Sequence, residues 1–78
     1  MKIEDNVLII DEEIGDEEIE EFSTSISQDG FNKIHVKNPN LGASIVQALL
    51  VKQKDTEVEV DDEILAKVFE NVIYKKVQ

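Results

Sequence analysis

Two short segments of the chain alternate strictly between polar and apolar residues: Lys33-Ile34-His35-Val36-Lys37 and Thr56-Glu57-Val58-Glu59-Val60. A period of two puts Ile34, Val36, Val58 and Val60 on one face of a sheet. Lys33, His35, Lys37, Glu57 and Glu59 then share the other face. Between the segments, Ala43 to Gln53 carries Val46, Leu49 and Leu50 as an apolar stripe, widened by Ile45 and Ala43, which predicts a helix. Pro39 falls in the loop ahead of it, where its missing N–H is not needed. Strand, helix, strand predicts parallel neighbours joined by a crossover. Lysines facing glutamates across such a pair add roughly 0.2–1 kcal/mol for each good contact.

The rest of the pattern extends this unit. Met1–Glu4 and Val7–Ile10 flank Asp5-Asn6, two residues that tolerate the positive φ of a tight hairpin. The run Val7-Leu8-Ile9-Ile10 predicts a strand buried on both faces. A first helix is expected from Asp16 to Gln28, with Ile19, Phe22 and Ile26 on its inner face. Gly15 is its expected N-cap, Asp16, Glu17 and Glu18 complement the positive helix end, and Ile14 pairs with Ile19 as a staple. Asp29-Gly30 marks the stop. A third helix follows Val60, with Asp61 as N-cap, Asp62 and Glu63 in the first turn, and Val60 stapled to Leu65. Leu65, Val68, Phe69 and Val72 are expected along one face, and the tail 72–78 suits either helix or strand. The predicted class is α/β: a two-layer domain with a small mixed sheet, helices mainly on one face, in the order β-hairpin-α-β-α-β-α.

With 78 residues the chain makes one domain, 1–78, whose core supplies only modest stability. It has no cysteine, which removes disulfides and thiol chemistry and suits a reducing cytoplasm. No apolar run approaches the roughly 18–20 residues that span a bilayer, and the N-terminus lacks a signal pattern. Neither membrane insertion nor export is expected, and a cytoplasmic location is.

Charge narrows the partners. The net charge is −10, and residues 1–30 carry all of it, with eleven acids against one lysine. The chain has no arginine. It repels phosphate backbones and lacks the side chain best suited to reading guanine, so no nucleic acid is expected. A basic protein surface is the complementary partner, and the plain alternative is a charge that serves solubility alone.

Three features invite chemistry. Ser44 opens the second helix, where a hydroxyl caps the helix or, as a candidate phosphoacceptor, sets a phosphate against the helix N-terminus. An aspartate at 44 would be tolerated at an ordinary helix start. As a nucleophile Ser44 lacks a base and a glycine elbow. His35 is the chain's one histidine, with no His-x-x-x-His spacing, so an ordinary strand residue is expected and no metal site. The acids Asp11, Glu12, Glu13, Asp16, Glu17, Glu18, Glu20 and Glu21 lack the alternating ligands and turn glycine of a calcium loop, and read as a solvated face. Within them Glu17, Glu20 and Glu21 are candidates for a partner surface. The loop Asn38 to Ala43 follows the carboxyl end of a parallel strand, where α/β sheets place their sites. That makes Asn38, Asn40, Gly42, Ala43 and Ser44 the second set of candidate binding residues. No catalytic residue and no cofactor are assigned.

The element order, and the segment Ile34 to Leu50, resemble a STAS domain, the module of anti-sigma factor antagonists and sulfate-transporter tails. That family opens its corresponding helix with Asp-Ser-Ser/Thr-Gly-Leu, and Gly42-Ala43-Ser44-Ile45-Val46 stands in its place, with Ser44 at the second hydroxyl position. The aspartate, first serine and glycine of the motif are Gly42, Ala43 and Ile45 here, and the usual final helix has no room. The resemblance implies a non-catalytic regulatory module of the bacterial cytoplasm, switched at Ser44, with an anti-sigma factor, kinase or signalling complex as partner. Leu41-Gly42-Ala43-Ser44-Ile45 also resembles the Asp-Ser-Leu segment of acyl carrier proteins, and Val58 to Glu63 the region before a carrier's last helices. That implies a helical bundle with phosphopantetheine on Ser44. A structural accessory subunit without a switch is the third reading.

Overall fold

The computed structural model describes residues 1–77, with side chains as far as Glu70. Four strands, β1 (Lys2–Glu4), β2 (Val7–Ile10), β3 (Lys33–Val36) and β4 (Glu57–Val60), form one sheet in the order β1-β2-β3-β4. β1 pairs antiparallel with β2, whereas β2, β3 and β4 run parallel. The hairpin turns at Asp5 and Asn6, with φ of 52° and 65°, the left-handed conformation that short polar side chains tolerate.

The crossover from β2 to β3 is a single 3-10 turn (Asp16–Glu18) continuing into helix α1 (Ile19–Ile26). Helix α2 (Ala43–Lys52) links β3 to β4, and α3 (Glu63–Val77) follows β4. The tail through Val77 is therefore helical, while Gln78 lies outside the described residues.

One core joins the layers. Leu8, Ile10, Ile34 and Val36 from the sheet meet Phe22 and Ile26 of α1, Ile45 and Leu49 of α2, and Phe69 of α3. Because all three helices reach the same sheet face, the domain has two layers. The burial of β2 on both faces follows the sequence: Leu8 and Ile10 face the helices, and Ile9, 9% exposed, is covered on the other side.

Several local details shift from the sequence pattern. The first turn of the α1 segment is 3-10, and the helix ends at Ile26, two residues short of Gln28. Gly30 completes the reversal at φ +117°, a conformation that favours glycine. The stripe of α2 centres on Ile45 and Leu49, both fully buried, rather than on Val46 and Leu50, while Ala43 is exposed. Spacing of four fits the single sheet face that α2 covers.

In α3, Val68 is 40% exposed and, among the described side chains, only Phe69 is buried, with Leu65 half-buried; Val72 lies beyond the described side chains. The cap of α3 also moves by one residue. The Asp62 carboxylate accepts the Leu65 N–H at 2.9 Å, and the Asp62 carbonyl accepts the Ala66 N–H at 2.8 Å, so Asp62 is the N-cap. Asp61 is held elsewhere: its N–H donates to the Val36 carbonyl at 3.0 Å, extending the β3–β4 ladder.

Candidate functional site

The carboxyl ends of β2 and β3 lead into two segments laced together. Ile14 donates its N–H to the Asn40 carbonyl at 3.2 Å and accepts the Gly42 N–H at 2.9 Å, making a one-residue parallel bridge beside Leu41. The loop is stiff: the Asn38 side chain accepts the Asn40 N–H at 2.8 Å, and Leu41 N–H reaches the Pro39 carbonyl at 2.9 Å. Its other side is the acidic segment, so Glu13, Gly15 and Asp16 share an open depression with Pro39, Asn40 and Gly42.

Ser44 sits in this junction, but not as the cap of α2. Gly42 is the N-cap and makes no side-chain cap bond, which puts Ser44 in the second helical position. The capping oxygen comes from Asp16. Its Oδ1 accepts the Ser44 N–H at 2.9 Å and the Ser44 hydroxyl at 2.6 Å. A carboxylate from one crossover thus caps the helix of the next, at the helix's positive end. The two Ser44 bonds hold the Asp16 carboxyl below the usual carboxylate range. Gly42 is what lets Asp16 in: a Cβ there would overlap the Asp16 carboxylate and stand 2.7 Å from the Asp16 backbone nitrogen. Meanwhile the α1 segment is capped by its own Glu18, whose carboxylate accepts the Gly15 N–H at 3.1 Å.

This arrangement changes the chemistry expected at Ser44. The hydroxyl is a donor to a carboxylate of lowered basicity, which does not activate it. His35 projects from the sheet face opposite the helices, so it is no base for Ser44. β2, β3 and β4 lie in chain order, so the sheet has no point where that order reverses, and the depression beyond β2 and β3 is a shallow one between their two following segments.

The candidate partner residues are all accessible. Glu17, Glu20 and Glu21 are exposed, as the burial of Phe22 and Ile26 dictates, and so are Asn40 and Ala43; Asn38, Gly42 and Ser44 are half-buried. The structure brings Glu17 near the loop, since Asp16, bonded to Ser44, directly precedes it, whereas Glu21 lines a separate depression with Met1, Glu12 and Phe22. The acids from Asp11 to Glu21 do not converge on a common point, whereas a different set does.

That set is on the open sheet face. Register places Lys33 opposite Glu57 and His35 opposite Glu59. Lys33 Nζ lies 2.5 Å from Glu59 Oε1 and 3.5 Å from Glu57 Oε2. His35 Nε2 lies 2.7 Å from Asp61 Oδ1 and 3.5 Å from Glu59 Oε2. The lone histidine of the sequence therefore has two carboxylate partners. The period of two signals Glu59; Asp61 is added because the ladder continues one residue pair past β4. Lys33 lowers the Glu59 carboxyl by a hydrogen bond and by its charge, with His35 adding a smaller effect, and Glu59 in turn raises Lys33.

Fold and site together define a small two-layer α/β domain with an acidic rim. No protein-family model, curated protein or solved structure matches the chain. Nothing in these comparisons identifies a STAS domain. No helix among the described residues is long and apolar enough to cross a membrane.

Proposed function

We propose that this domain is a non-catalytic protein-interaction module that docks a basic surface of a partner through one continuous face. The face comprises the exposed acids Glu17, Glu20 and Glu21 and the loop Asn38 to Ser44. The observation that carries the reading is the Asp16–Ser44 junction, which ties the residue just before Glu17 to the start of α2. Opposite charge accelerates encounter, and a stiff loop loses little entropy on binding. A regulatory module of the STAS type, acting on a signalling partner in the cytoplasm, is the form of this reading favoured by the element order. The acyl-carrier reading loses its support, because it implies a helical bundle and the chain builds a four-stranded sheet.

Affinity capture from cell extract tests the proposal, comparing the wild-type chain with a Glu17→Lys, Glu20→Lys, Glu21→Lys variant. A protein retained by the first, released by salt and lost by the second supports an interaction module. Identical retained proteins on both would leave the acidic rim as a solubility device.

A further inference from the structure

On the open sheet face, three donors of mixed chemistry converge. His35 comes from β3, Glu59 stands opposite it in β4, and Asp61 opens the connection to α3, held to β3 by its N–H bond to the Val36 carbonyl. The His35 nitrogen and one oxygen from each carboxylate all lie within 4.8 Å of one another. We infer that His35, Glu59 and Asp61 form a binding site for a divalent first-row transition ion of the zinc class.

Ligand chemistry selects the ion. Zinc binds imidazole nitrogen and carboxylate oxygen at about 2.0–2.2 Å, so donors at adjacent corners of a tetrahedron stand about 3.5 Å apart. From Nε2 the separation to Glu59, 3.5 Å, matches that spacing, while Asp61, hydrogen-bonded at 2.7 Å, has to draw back by somewhat under 1 Å to admit the ion. An imidazole with two carboxylates suits zinc and its neighbours, whereas magnesium favours all-oxygen sites with several waters. Two carboxylates also neutralise a divalent ion.

The positions are set by backbone, not by flexible stems. His35 and Glu59 are locked in the β3–β4 register, and Asp61 is tied to it by its N–H bond to Val36. Lys33 holds Glu59 Oε1, which leaves Oε2 turned toward His35. A ligating carboxylate oriented through its other oxygen is the usual support of such sites. Three protein donors leave a tetrahedral position open to solvent. The site lies across the sheet from the helices and does not depend on the docking face proposed above.

Calorimetric titration of the wild-type chain with zinc ion in a non-chelating buffer tests the site. Saturable binding of one equivalent is expected, with the ring resonances of His35 shifting in the same titration followed by NMR. His35→Gln and Asp61→Asn should each weaken binding by about tenfold or more, a loss at least as large as that for removing a supporting contact. Glu20→Gln with Glu21→Gln should leave it unchanged. Circular dichroism confirms that each variant is folded, and the wild-type ring shifts report the ligand directly without any variant. No saturable binding, unmoved His35 resonances, or equal affinity in His35→Gln would overturn the assignment, the last by showing that zinc rests on the scattered acids.

Discussion

Asp16 Oδ1 receives both the hydroxyl and the amide of Ser44, at 2.6 and 2.9 Å, across 28 positions of sequence. One carboxylate oxygen therefore couples the two crossovers and completes the N-terminus of α2. A serine that would ordinarily cap its own helix becomes the group that is held.

Substitutions at the pair should rank accordingly. Ser44→Ala removes the hydroxyl bond but keeps the amide bond, and should lower stability by about 1 kcal/mol. Ser44→Asp, harmless at an ordinary helix start, removes the donor and sets a second carboxylate beside Asp16, so it should be the more destabilising change. Asp16→Ala removes both bonds and leaves the Ser44 amide without its partner, and should also exceed Ser44→Ala. Urea unfolding of the three variants checks the order. An Asp variant at 44 as stable as wild type would show that the junction contributes nothing.

Acid should open the same junction. The Asp16 carboxyl is lowered from its ordinary value of 3.8 by the Ser44 bonds. A depressed folded value means that the contribution is complete above about that pH and is lost as pH falls through the folded value. The stability difference between wild type and Asp16→Asn should therefore be constant near neutrality and shrink below pH 3.8. On the open face the window is bounded at both ends. Glu59 is lowered from 4.5 and Lys33 raised from 10.5, so their pairing weakens in strong acid and in strong base. Unfolding measured across pH for Lys33→Met against wild type should show a difference only inside that window.

Gly42→Ala probes close approach rather than backbone freedom, because Gly42 has an ordinary φ of −65°. The added methyl displaces Asp16 from Ser44. Its cost should fall in part in an Asp16→Ala background, where the carboxylate is gone but the backbone nitrogen of residue 16, 2.7 Å from the new Cβ, still has to shift. A double-mutant cycle by denaturant unfolding measures this coupling, and strictly additive effects would exclude the contact.

Much of the fold was legible because alternation and helical spacing report burial directly. Ile34, Val36, Val58 and Val60 marked the covered face, and the same period put Lys33, His35, Glu57 and Glu59 on the open one. The pairing of Lys33 with Glu57 and His35 with Glu59 came from the strand register, which a period of two leaves undefined. Asp5-Asn6 announced the hairpin by its backbone tolerance alone. The junction was not legible, since local rules assign Asp16 to its own helix and Ser44 to its own cap. Only the bridge between Ile14 and Leu41 brings them together. The role of Asp61 was obscured in the same way: Asp61 and Asp62 are equally good caps by type, and the ladder bond to Val36 decides which one is free to cap. The carboxylate beside the Ser44 hydroxyl comes from a different crossover, which no local pattern signals.

The claim that the acidic rim and the loop act as one docking face is tested most directly by the affinity of the captured partner. Dissociation constants would be measured at low and high salt for wild type and for the Glu17→Lys, Glu20→Lys, Glu21→Lys chain. The account predicts a loss of about tenfold or more on charge reversal, with most of the salt dependence of the wild type gone in the variant. Equal affinities for the two chains, insensitive to salt, would contradict it.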